Sequence, residues 1–170
     1  MRLRKLLQTA CRLLGVEVRA SSHNMVILQR CVNLVLSDIA TRYIDFRAKQ
    51  TFDVTNRKIE FTSFDKNVFR IRSVMIGGRA IDYDLYFDFL VVPNGPITVE
   101  YSYIPAFVSR MSNISEVAPG ITESVLLYGM LAEYSAVAGL QSDFRIFTKK
   151  YESALFDLTK SGRLRVVASR

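Results

Sequence analysis

The sequence has no tryptophan, one histidine, two cysteines, four prolines and eight glycines among 170 residues. Each shortage closes off a class of protein. Two cysteines are too few for a disulfide framework, and one histidine beside them is too little for a metal site. Cys11 and Cys31 each sit in a helix-like apolar pattern, which reads as buried free thiols. His23 lies among Ser21, Ser22 and Asn24, where a helix would begin and where Ser21 or Ser22 would cap it. That is a loop or cap position rather than the place of a ligand or catalytic base. Scarce glycine and proline exclude collagen-like and low-complexity chains. No stretch nears the ~20 uncharged apolar residues of a transmembrane helix, so no membrane partner is expected. Residues 1–15 lack a continuous apolar core and a small-residue cleavage site, and make a poor signal peptide. Arg2, Arg4, Lys5 and Arg12, with no acid before Glu17, also fit the pattern of a mitochondrial targeting helix.

What remains is a chain that is 49% hydrophobic and 23% charged, which excludes whole-chain disorder. Its length suits a single domain that buries roughly 70% of its unfolded surface. The net charge of +7 is uneven. Residues 1–20 and 141–170 carry +4 each, and the residues between carry −1. Basic ends suit an acidic partner or nucleic acid, or simply a solvated surface.

Apolar spacing gives the order of elements. Leu3, Leu6, Leu7, Ala10, Cys11 and Leu14 form one stripe and predict a helix over 2–14. A second helix is expected over 24–47, a third over 121–139 and a fourth over 142–161. Between them, residues 51–108 read as short strands. Their signals are alternation in Thr51–Val54 and Ile97–Tyr103, the pair Gly77-Gly78, and the break Pro93-Asn94-Gly95-Pro96. The expected fold is α+β: one domain over 1–170, a small four-helix bundle with an antiparallel β-rich insertion between helices 2 and 3, and a short tail over 162–170.

Enzyme chemistry is hard to find in this pattern. No phosphate loop, no G-x-S-x-G, no C-x-x-C and no H-E-x-x-H is present. Asp82, Asp84 and Asp88 have loose ligand-like spacing but lack the glycine and terminal glutamate of an EF-hand, so outward-facing acids on a strand are the simpler reading. No catalytic, cofactor or metal residue is assigned. The aromatics are eight tyrosines and eleven phenylalanines, with clusters at Tyr83, Tyr86, Phe87 and Phe89 and at Tyr101, Tyr103 and Phe107. They fit a β core or a protein-contact surface. A nucleic-acid stacking platform would interleave them with lysine and arginine, whereas these strands carry aspartate and glutamate.

The layout resembles the head-to-tail connector, or adaptor, proteins of tailed bacteriophages, including the tail tubular ring proteins of short-tailed phages. The resemblance rests on the order helix, helix, β insertion, helix, helix, tail; on the strand Pro96–Pro105; and on a small-residue helix, Leu126–Tyr134, followed by Phe147, Tyr151, Ala154 and Leu155. It implies a structural virion protein, not an enzyme. Such a protein forms a ring, commonly a dodecamer, beneath the portal, joins capsid to tail, and lets DNA pass without specific binding. Implied partners are the portal protein, further copies of itself, and a tail or further ring protein. Implied location is the portal vertex or neck, assembled in the host cytoplasm. The resemblance assigns portal docking to Arg163, Leu164, Arg165, Val166, Val167 and Arg170. It assigns packing of the closing helix pair to Tyr128, Leu131, Ala132, Phe147, Tyr151 and Leu155. Two other readings stay open: a small basic nucleic-acid-binding protein, and an enzyme with an acidic site at Asp82, Asp84 and Asp88.

Overall fold

The computed structural model describes residues 2–16, 23–109 and 112–160. The chain divides into two compact units, one made of residues 1–44 and 107–170, the other of residues 45–106. The docking residues assigned within 163–170, and the expected caps Ser21 and Ser22, lie outside the described residues.

The helical unit contains α1 (Leu3–Leu14), α2 (His23–Asp38), α3 (Ile114–Val117), α4 (Glu123–Val137) and α5 (Gln141–Lys160). In α1 the side chains Leu3, Leu6, Leu7, Ala10 and Cys11 are all buried, as their i, i+3, i+4 spacing requires of one face. In α2 the buried set is Met25, Leu28, Cys31, Val32, Val35 and Leu36. This helix was expected to reach Arg47. Instead it passes into a π-helical turn over Ile39–Tyr43, and the chain becomes extended at Ile44. Thr41 donates back to the Ser37 carbonyl at 2.9 Å within that turn. Helix α4 starts at Thr122, whose side chain accepts from the Val125 N–H. It buries residues on several sides, including Val125, Leu126, Met130, Leu131 and Tyr134, and so lies centrally in its unit.

The second unit contains β1 (Arg47–Val54), β2 (Lys58–Glu60), β3 (Asn67–Ile76), β4 (Arg79–Ala80), β5 (Asp84–Leu85), β6 (Phe89–Val91) and β7 (Gly95–Ile104), with a 3-10 turn at Phe61–Ser63. One antiparallel sheet has the order β1-β7-β3-β4 and another has the order β2-β6-β5. In the central strand β7, alternation puts Ile97, Val99 and Tyr101 in the core, each at most 1% exposed. Val99 faces Gln50 of β1 on one side and Val74 of β3 on the other. Gly77 and Gly78, with φ of 54° and 82°, turn β3 into β4 in the left-handed conformation that a tight hairpin needs. The core joins residues of both sheets: Val54, Ile59, Phe64, Val74, Leu90, Val92, Ile97, Val99 and Tyr101. Phe64 meets the Tyr101 ring edge-on at 4.8 Å.

The expected four-helix bundle with a single β insertion is therefore corrected. Five α-helices occur among the described residues, and the strands form two antiparallel sheets of four and three strands. The physical reason is that the strand segment closes a core of its own. Leu90 and Ile59 of the small sheet pack with Val74 and Val99 of the large one, so the segment needs no bundle to cover it.

Candidate interaction surfaces

The closing helix pair is built on a close approach. Leu131, Ala132 and Leu155 are buried, and Tyr128, Phe147 and Tyr151 are half-buried. A Cβ on Gly129 would stand 2.9 Å from the Tyr151 ring and 2.9 Å from a Val35 methyl. Only glycine lets α2, α4 and α5 meet there. The Lys150 ammonium lies 5.3 Å from the centre of the Tyr128 ring. Among the described residues, three buried hydroxyls in α4 and α5, those of Ser135, Thr148 and Tyr151, form no well-aligned hydrogen bond, although Tyr151 lies close to the Asp38 carboxylate. Burial, and then the nearby Asp38 carboxylate, hold the Tyr151 phenol well above its ordinary range.

The cysteines are free and buried. Burial, reinforced by Glu133, pushes the Cys31 thiol up to about 11, and burial raises Cys11 too. Neither has the thiolate character of a nucleophile. His23 is exposed and opens α2.

Asp82, Asp84 and Asp88 are all exposed. Among the described residues no group of three histidine, cysteine, aspartate or glutamate side chains is arranged to hold a metal ion. Asp82 and Asp84 border a shallow cleft of about 210 Å³ with Arg57 and Tyr83. What these acids surround is apolar. The largely apolar segment Leu85–Val92 is not one strand but breaks into the end of β5, a turn and β6. The Tyr86 N–H donates to the Phe89 carbonyl at 2.9 Å across that turn. The Tyr86 and Phe89 rings stack at 4.7 Å. Phe87, at the apex, is 99% exposed, and Leu85 and Tyr86 are more than half exposed. A cleft of about 290 Å³ beside them is lined by Phe61, Val68, Phe69, Arg70 and Ile71 together with these turn residues.

A second surface lies along α5. Its buried residues are Leu155 and Leu158. The opposite side of the helix carries Arg145, Lys149, Glu152, Phe156 and Lys160, with Ile146 next to it; all are exposed. Ile146 is 51% and Phe156 57% exposed, and the Lys160 ammonium lies 4.5 Å from the centre of the Phe156 ring. Apart from that ammonium, more than half of the Phe156 side chain is open.

One arrangement was not foreseen. The Asp45 carboxylate, 2% exposed, accepts from Arg47 Nε at 2.7 Å and Arg72 Nη2 at 2.9 Å. It also accepts from the Ser102 hydroxyl, which in turn accepts from Arg72 Nε at 2.7 Å. Burial alone would push this carboxyl up, but the three hydrogen bonds and the Arg72 charge outweigh it and leave it below the ordinary value. Arg47 and Lys49 extend the cluster to Glu100. Every member is paired, which makes this a clamp on β1, β3 and β7 rather than a reactive centre. No sequence signal marks it, because Asp45 and Ser102 are 57 positions apart.

No helix among the described residues is long and apolar enough to cross a membrane. No protein-family model matches the sequence, and no curated protein matches it.

Proposed function

We propose that this chain is a structural virion protein of a tailed phage. It forms a ring beneath the portal, joins capsid to tail and extends the DNA channel. The observation that supports this most is the presence of two unlike exposed surfaces, the aromatic turn at 84–88 and the mostly charged outer face of α5 with Ile146 and Phe156. A closed ring needs two different faces on each subunit, because a head-to-tail contact joins one patch to another. Exposed Tyr, Phe and Leu on a short turn supply contact area at small entropy cost. In this reading the portal docks on residues 162–170, and DNA passes without specific binding.

The test is the native mass of the protein, alone and mixed with the portal protein encoded in the same genome. A closed ring on the portal is the expected result, and deletion of residues 162–170 weakens attachment without unfolding the chain. A monomer that ignores the portal overturns the reading. A second reading, nucleic-acid binding, draws on the exposed Arg4, Lys5 and Arg12 of α1 and Arg145, Lys149 and Lys150 of α5. It requires duplex DNA binding that falls steeply as salt rises.

A further inference from the structure

The four-stranded sheet has one guarded edge and one open edge. On the guarded side, β3 carries register shifts between Val68 and Arg70 and between Ile71 and Ser73, and β4 with the Ile81 N–H closes its end. On the other side β1 runs for eight residues in unbroken register with β7, and no strand among the described residues lies beyond it. The Phe46 carbonyl accepts from the Tyr103 N–H at 2.9 Å. Ladder bonds alternate along an antiparallel pair, so Ala48, Gln50, Phe52 and Val54 turn their backbone groups to β7, and Arg47, Lys49, Thr51 and Asp53 turn theirs outward. Those four residues are exposed, and their outward backbone groups meet no partner among the described residues. Their side chains share one face of the sheet, basic at one end and acidic at the other. Arg47 is held by Asp45 and Glu100. The Lys49 ammonium lies 3.4 Å from Glu100 yet keeps an open side, with its side chain 63% exposed. Asp53 enters no ion pair among the described residues, and Lys58 and Glu60, which share a cleft of about 280 Å³ with it, pair with each other at 3.1 Å.

We propose that the β1 strands of two copies pair antiparallel along these open edges, about a two-fold axis at Thr51, and join two four-stranded sheets into one. In that register Thr51 faces Thr51 of the second copy, and Lys49 faces Asp53 on each side of the axis. The outward N–H and C=O groups at 49, 51 and 53 all gain ladder partners. On the inner face Ala48 meets Val54 and Gln50 meets Phe52, so the two cores run on into each other. The charge order is what singles out a second copy. A lysine on an open edge ordinarily repels an incoming strand. Here antiparallel pairing sets each Lys49 against an aspartate that has no other ion pair, whereas parallel pairing would set Lys49 beside Lys49. The contact is isologous and closes at two copies, so it goes beyond the ring reading and does not rest on it.

The experiment sediments the full-length protein over a concentration series and follows backbone amide exchange by NMR at its two ends. The wild type should show a monomer–dimer equilibrium, with the N–H groups of Lys49, Thr51 and Asp53 protected only at high concentration. Thr51→Pro removes an outward N–H and no bond to β7, so the variant should fold, as circular dichroism checks, and stay monomeric. Lys49→Glu alone and Asp53→Lys alone should each dimerise about tenfold more weakly, because like charges then face each other on both sides of the axis. Both positions are exposed, so this pair decides the matter even where the proline variant fails to fold. An equimolar mixture of the two should recover wild-type pairing, since each contact between them sets opposite charges together. Association that a folded Thr51→Pro leaves at the wild-type level overturns the inference and leaves the ring reading standing. Loss in both charge variants without recovery in the mixture also overturns it, as does a wild type that stays monomeric at every concentration.

Discussion

Among the described residues of the helical unit three buried hydroxyls, on Ser135, Thr148 and Tyr151, form no well-aligned hydrogen bond, whereas in the sheet unit the buried Asp45 carboxylate is held by Ser102, Arg47 and Arg72. The charge divides in the same way. Residues 45–106 carry eight basic and eight acidic side chains, and the rest of the chain carries fifteen and eight, so the whole +7 belongs to the helical unit. The helices are joined by apolar close approach, with Gly129 against Tyr151 and Val35. There, stray polar atoms are tolerated because shape carries the contact. The strands are tied across long sequence separations by a core and by a fully paired ion cluster. The basic excess thus sits in the unit whose helices pack by shape, while the sheet unit balances its charges and pairs those around Asp45.

Three substitutions test that contrast. Leu131→Ala, at a position that is fully buried in α4, should cost about 2–5 kcal/mol in chemical denaturation. A cost near zero would mean that apolar packing does not carry the helical unit.

Asp45→Asn should cost about 1–3 kcal/mol, because Arg72 and Ser102 lose a charged acceptor in a buried place. Its pH signature is specific. The carboxyl lies below its ordinary value of 3.8 in the folded chain, so its stabilisation is present above that pH and is lost as pH falls through the lower folded value. Urea titrations should therefore show wild-type stability dropping below about pH 4, with this component absent in the variant. Equal acid sensitivity in both would show that other carboxylates dominate.

The smallest effect is expected at Tyr151→Phe. Removing a buried hydroxyl that forms no well-aligned hydrogen bond should leave stability unchanged or raise it by about 1 kcal/mol, read as an equal or higher Tm. A clear loss would reveal a bond to Asp38 and erase the contrast with the Asp45 cluster.

Much of the local structure was legible from spacing. The stripe Leu3, Leu6, Leu7, Ala10 and Cys11 is buried as its period demands, and Ile97, Val99 and Tyr101 alternate inward as expected. The end of α2 was not legible. Ile39, Arg42 and Tyr43 continue the helical step, and nothing local shows that Asp45 and Arg47 pair instead with Ser102 and Glu100. The four-residue α3 is too short to produce a period. The exposed turn was hidden for a related reason: Leu85–Val92 reads as one apolar run, and only the pairing of β5 with β6 bends it and turns Phe87 outward. The acids at 82, 84 and 88 read in sequence as outward-facing, and all three are exposed, beside the apolar turn.

The sequence by itself determined the buried faces of α1 and β7, the glycine turn at Gly77-Gly78, and that the basic excess lies toward the two ends. These follow from side-chain period and backbone sterics, which act over a few residues. The tertiary structure alone decided that the strands close two sheets over their own core, that Asp45 is caged, and that Phe87 and Phe156 remain uncovered. Those outcomes depend on which distant segments meet, and burial rewards a meeting only after the chain between has been ordered.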